Sequence, residues 1–204
     1  MRPLRDAKAG ELCGRVPSTW LQEQLERLDP ALDRNAFASA FSAAGRKVGE
    51  SQADLARAAL LLEAVACVPP DEQPPFVEDV FSTGNNRERE ALLRVLSFLP
   101  GPARFVSVAL AACRTNVQSV FEAIGCENPF PADHFPEAGF NHLVLKALFL
   151  GVPVARIVGL ERRANPELTR MVGAFRSERL AAGRSVPGDV AILIGEPLRG
   201  ENDE

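Results

Sequence analysis

SQADLARAALLLEAVACVPP (51–70) decides the fold class. Its apolar side chains fall at Leu55, Ala58, Ala59, Leu62, Val65 and Ala66, one stripe at the 3.6-residue period of an α-helix. Ser51, with Asp54 three residues on, is a capping-box-like start, and Pro69-Pro70 ends the run because proline lacks the amide a helix needs. Read outward in both directions, the same pattern predicts helices near 18–28, 31–44, 74–82, 86–98, 102–124, 138–150, 166–182 and 188–194. Proline- and glycine-rich breaks separate them at VPPDEQPP (68–75), LPGP (99–102), ENPFPADHFP (127–136) and GVP (151–153). Alanine, leucine, arginine and glutamate dominate, and tyrosine is absent. These are helix formers more than strand formers.

Short breaks between helices of similar length predict an all-α fold of stacked antiparallel helix pairs, an α-solenoid of HEAT-like type with a right-handed superhelix. No long linker interrupts the pattern, so residues 1–204 are expected to form one helical domain with a frayed acidic tail near 196–204. GCENPFPADHFPE (125–137) holds three prolines and is predicted to be a non-helical loop. Its Phe130 and Phe135 are expected to fold back on the body, since both rings would otherwise sit in water.

Composition excludes several function classes. The 204 residues carry a net charge of −4, and the pI is about 5.4. Nucleic-acid binders usually show a basic excess, so no nucleic-acid partner is expected. No apolar run approaches the roughly 18 residues of a membrane span, although peripheral association is compatible with the sequence. The opening MRPLRDAKAGELCGR lacks a signal-peptide apolar centre, and the four cysteines show no framework spacing. Both features predict a cytoplasmic protein.

Motif chemistry is sparse. GRKVGES (45–51) has three residues between its glycines and Glu50 where a phosphate loop carries lysine, so it reads as a helix-to-helix turn. Cys113, Cys126, His134 and His142 are spaced C-x12-C-x7-H-x7-H, without the close ligand pair that zinc sites usually contain. No metal, no cofactor and no catalytic residue is expected. Elemental analysis of the purified protein after dialysis should therefore find no stoichiometric transition metal; one equivalent of zinc would contradict the spacing argument.

Two helices carry polar groups in apolar settings. Residues 138–150, AGFNHLVLKALFL, present one stripe of Phe140, Leu143, Val144, Ala147 and Leu148, while Leu145 and Phe149 extend apolarity to another side. Burial over most of the circumference is the expectation. Asn141, His142 and Lys146 interrupt it, the last two four residues apart on one face. In 102–124 the stripe is Phe105, Ala109, Cys113, Val120 and Ile124, with Asn116 inside it. Arg114, Gln118 and Glu122 form a separate polar row. Polar groups converging in apolar surroundings are what small-molecule sites are made of, so a polar pocket between these two helices is a candidate site.

Charge is segregated along the chain. Residues 1–154 carry −4, residues 155–186 carry +4 and residues 187–204 carry −4. The cationic stretch contains Arg156, Arg162, Arg163, Arg170, Arg176, Arg179 and Arg184. Its arginines either tie the segment to acidic neighbours or form an anion surface. Asn165-Pro166-Glu167 reads as a helix start with asparagine as cap. Behind Arg162 and Arg163, that start could also receive an anion.

FNHLVLKALFLGVPVARIVGLERRANPELTRMVGAFRSERLAAGRSVP (140–187) resembles the C-terminal signature of the EboA-domain family. RTNVQSVFEAIGCENPFPADHF (114–135) and FASAFSAAGRKVG (37–49) resemble upstream parts of it. The resemblance implies an all-helical protein encoded beside prenyltransferase-like, dehydroquinate-synthase-like, sugar-isomerase-like and metal-hydrolase-like enzymes. It also implies a place in clusters that make secondary-metabolite precursors or move them across the inner membrane. Arg176 stands where the family resemblance implies histidine, and His142 where it implies glutamine. The expected role is an accessory protein that scaffolds pathway enzymes or binds and hands over a precursor, so its partners would be a small molecule or a pathway enzyme. The alternative is an enzyme acting on an anionic, phosphorylated or prenylated small molecule. Under either reading the candidate ligand-binding residues are Arg114, Asn116, Glu122, Asn141, His142, Lys146, Arg156, Arg162, Arg163 and Asn165.

Overall fold

The computed structural model describes residues 6–28 and 32–195. These are 76% helix and contain no strand. The α-helices are α1 (Ala7–Arg15), α2 (Thr19–Arg27), α3 (Arg34–Val48), α4 (Glu50–Cys67), α5 (Gln73–Thr83), α6 (Asn86–Val95), α7 (Val106–Cys113), α8 (Gln118–Gly125), α9 (Phe130–His134), α10 (Glu137–Leu150), α11 (Leu160–Arg163), α12 (Pro166–Ala181) and α13 (Asp189–Ile194). Short 3-10 turns occupy 96–98, 102–105 and 154–156. The chain forms two compact units, one ending at Ile124 and one beginning at Gly125. The acidic tail near 196–204 lies outside the described residues. No described helix is long and apolar enough to cross a membrane.

Local chemistry explains most helix starts in the first unit. Asp6, Ser18 and Asp33 each accept a backbone N–H of the turn that follows, at 2.8, 3.3 and 2.9 Å. Such caps satisfy amides that have no partner within the helix. The capping box expected at Ser51 is not formed. α4 begins one residue earlier, directly after Gly49, whose φ of +85° makes the sharp turn from α3. The reciprocal capping box sits instead at Asn85–Glu88.

α4 is the hub of this unit and packs against α1, α2, α3, α5 and α6. Leu60, Leu61 and Ala64 are buried along with Ala58, Ala59, Leu62 and Val65, so residues 56–65 of the helix are enclosed on all sides and not along one stripe. The all-helical expectation is met, while contacts of one helix with neighbours up to three places away do not by themselves make a superhelix. Two charged side chains of α4 are buried with it. Arg57 is 4% exposed and donates from Nε to the carbonyl of Phe41 on α3 at 3.3 Å. Glu63 is 1% exposed and accepts the N–H of Asp6, which caps α1, at 3.0 Å. Each polar group thus fixes one surrounding helix on the hub.

Residues 102–124 are not one helix, which corrects the expectation. A 3-10 turn leads into α7, which ends at Cys113, and α8 starts at Gln118. Thr115 Oγ1 accepts the N–H of Val117 at 3.1 Å, a side-chain turn that competes with helix continuation. Asn116 lies in this break and is exposed, outside any apolar stripe. The non-helical reading of 125–137 is also corrected. α9 forms there because Pro131 sits in its first turn, where no amide is required. Phe130 and Phe135 are buried as expected, with ring centroids 6.3 Å apart.

Cys13 on α1 is buried, and burial pushes its thiol above the ordinary range. A folded-state pKa above the unfolded one means that its contribution is intact at neutral pH and is lost as pH rises through the folded value. Alkaline unfolding should therefore shift to higher pH in Cys13→Ala, and native Cys13 should resist alkylation at pH 8. Rapid labelling of the folded protein at Cys13 would contradict this.

Candidate ligand groove

Around the buried core of the second unit, arginines fasten its segments to one another. Arg156 makes a two-point contact to Glu127, 2.8 and 3.0 Å, while the Glu127 N–H donates back to the Arg156 carbonyl at 2.8 Å. This exchange holds Glu127 at a φ of +49°, unusual for a side-chain-bearing residue. Arg162 pairs with Asp133 at 2.6 Å. Arg163 donates to the carbonyls of Ala132 and Phe135, both at 2.8 Å, with its guanidinium 4.9 Å from the centre of the Phe140 ring. Gly159 makes this approach of segments possible: its φ is +73°, and a Cβ there would lie 2.7 Å from that of Ala132. Three arginines from the cationic stretch thus clamp residues 127–135. Arg170 turns to its own helix and pairs with Glu167 at 2.7 Å. That bond holds the Glu167 carboxyl below the usual range.

Asn165 caps α12, as its Asn-Pro-Glu context predicts, by accepting the N–H of Leu168 at 2.8 Å. It also exchanges amide hydrogen bonds with Asn141 of α10, at 2.9 and 3.2 Å. Asn141 is 1% exposed, and both its polar atoms are satisfied by this exchange. The α12 start therefore has its own side-chain cap, and Arg163 beside it is bonded to carbonyls.

Asn141 and Asn165 meet near the beginnings of α10 and α12. Farther along, Leu145, Lys146 and Phe149 of α10 face Arg170, Met171, Ala174, Phe175 and Glu178 of α12. The two helices therefore run side by side in the same direction, joined by the 151–165 crossover. Between them lies an open groove of about 520 Å³. The sequence accounts for both walls. On α10 the stripe Phe140–Leu143–Val144–Ala147–Leu148 is buried, while the second stripe, Leu145 and Phe149, forms one wall. On α12, Leu168 and Val172 are buried, and a second stripe at i, i+3, i+4 and i+7 from Met171 forms the other. Phe149 is 69% exposed, an apolar ring left facing the groove and water.

The expected site residues are divided by this geometry. Lys146 lines the groove and is half-buried. His142 is exposed, does not line it, and places Nδ1 2.7 Å from the Ala138 carbonyl one turn back. Asn141 and Asn165 bond each other, and Arg156, Arg162 and Arg163 hold the 127–135 segment. Arg114, Asn116 and Glu122 belong to the first unit. The first two are exposed around the break after α7, and Glu122 accepts from Gln118 at 2.8 Å, as their four-residue spacing predicts. Among the described residues no three metal-ligating side chains gather. Met171, Ala174 and Phe175 escape a reading of single polar residues, because their signal is a second apolar stripe beside a buried one.

A family model described as "Metabolite traffic protein EboA" matches residues 53–195. No curated protein and no solved structure matches the chain.

Proposed function

The chain belongs to the family of the metabolite traffic protein EboA, and from that premise we propose that it is an accessory carrier that holds an amphipathic acidic metabolite in the α10–α12 groove and hands it to a pathway enzyme. The observation that carries this reading is the groove itself. Its volume falls within the roughly 300–1,000 Å³ usual for small-molecule sites. Leu145, Phe149, Met171, Ala174 and Phe175 offer an apolar bed, and Lys146 places a cationic group beside it. An apolar chain would displace water from the bed, while an acidic head group would find the lysine. Open on one side, the groove permits release without a large conformational change, which suits handing over more than chemistry.

Thermal shift with decanoate, decanol and decyltrimethylammonium tests the reading, because ligand binding to the folded state raises stability by mass action. Decanoate should raise the melting temperature more than decanol, and the cation should do least. Lys146→Met should reduce the preference for decanoate over decanol. Equal shifts with all three, or a larger shift with the cation, would contradict the proposal.

A further inference from the structure

The first unit contains a cavity of its own, which shares no lining residue with the groove. It lies between α3 and α5 and measures about 210 Å³, below the size of drug-like sites. Its apolar part is an aromatic cluster: Phe37 stands 5.3 Å from Phe41 and 5.4 Å from Phe76, centre to centre. Its polar lining is divided by sign. α3 contributes Arg34, and the α5 side contributes Asp79. Arg34 is exposed, lies over the Phe76 ring at 5.4 Å, and reaches Glu72 only at 3.4 Å, which leaves guanidinium donors for another acceptor. Asp79 uses its backbone carbonyl for Ser82 and Thr83, while its carboxylate bonds no described residue. Glu88 also lines the cavity, but both of its oxygens already accept from Asn85.

We propose that this cavity binds a small zwitterion with a short apolar body, of the chemical class of an aliphatic amino acid. The carboxylate would take the Arg34 fork, the ammonium would take Asp79, and the side chain would lie on Phe37 and Phe76. An anion alone would leave Asp79 unopposed, and a cation alone would meet Arg34. A molecule bearing both charges matches both walls, and the small volume limits its body to a few carbons.

Ligand-observed NMR titration of the full chain with L-leucine, 4-methylpentanoate and 3-methylbutylamine tests this. Leucine should bind at least ~10-fold more tightly than either analogue, the scale of losing one charge-assisted hydrogen bond. Arg34→Gln should weaken leucine and 4-methylpentanoate but not the amine. Asp79→Asn should weaken leucine and the amine but not the acid. Both side chains are exposed, so neither variant should change the melting temperature, and Ala38→Trp should block the cavity mouth to all three probes. Absence of saturable leucine binding, or leucine binding that survives both charge substitutions, would overturn the proposal. Either result leaves the groove of the second unit unaffected.

Discussion

Phe140→Ala is expected to remove about 3–5 kcal/mol of stability, the usual cost of deleting a fully buried aromatic side chain. The ring is completely buried on α10, and the Arg163 guanidinium lies against its face. Truncation removes the apolar contacts and also the surface on which Arg163 is stacked, so the clamp on Ala132 and Phe135 should loosen with it. Hydrogen exchange should show the loss concentrated in α9, α10 and α12. Exchange that increased in α4 while α10 stayed protected would contradict this placement of the stabilising contacts.

Asn165→Ala should cost more than a helix cap is worth, and the second substitution Asn141→Leu should recover part of the loss. An N-cap alone contributes about 1 kcal/mol. Here the same side chain satisfies the buried amide of Asn141, and an orphaned buried polar group costs about 1–3 kcal/mol more. Leucine at 141 carries no polar atom to orphan, so the double variant should melt above the Asn165→Ala single variant. A double variant that melts lower, with the two losses simply adding, would show that the amide exchange does not hold α10 to α12.

The helices were legible where one apolar stripe met a strong stop signal. Asn165-Pro166-Glu167 marked the start of α12, and 138–150 coincides with α10 to within one residue. Legibility failed where a side chain competed with the helix. Thr115 turns the chain between α7 and α8, although the apolar period continues across the break from Cys113 to Val120. The three prolines of 125–137 predict a break, but Pro131 occupies the first turn of α9, where proline is tolerated. Leu60 and Leu61 lie off the stripe that the sequence predicts for α4 and are buried all the same, because helices pack on that segment from several sides.

The candidate site was legible only in part, for a related reason. Singling out polar residues found Lys146, but it also found groups whose partners lie far away in sequence. Glu127 and Asp133 take Arg156 and Arg162 across 29 residues, and Asn141 takes Asn165 across 24. Nothing in a one-dimensional charge profile distinguishes such a clamp from an anion surface. Of the groove walls, the sequence reading has the second stripe of α10, Leu145 and Phe149, while Met171, Ala174 and Phe175 of α12 escape it; the packing of the two helices is what brings them face to face.

If a metabolite sits in the α10–α12 groove, filling the groove must weaken its binding. Isothermal titration of decanoate into the wild type and into Ala174→Trp tests it most directly, since Ala174 is an exposed helix position and tryptophan there fills the groove without entering the core. Binding to the wild type should be saturable and one-to-one, and binding to the variant at least ~10-fold weaker, the loss expected when apolar ligand contact worth about 1.4 kcal/mol or more is blocked. Equal affinity for both proteins, with unchanged melting temperature, would place the ligand elsewhere and contradict it.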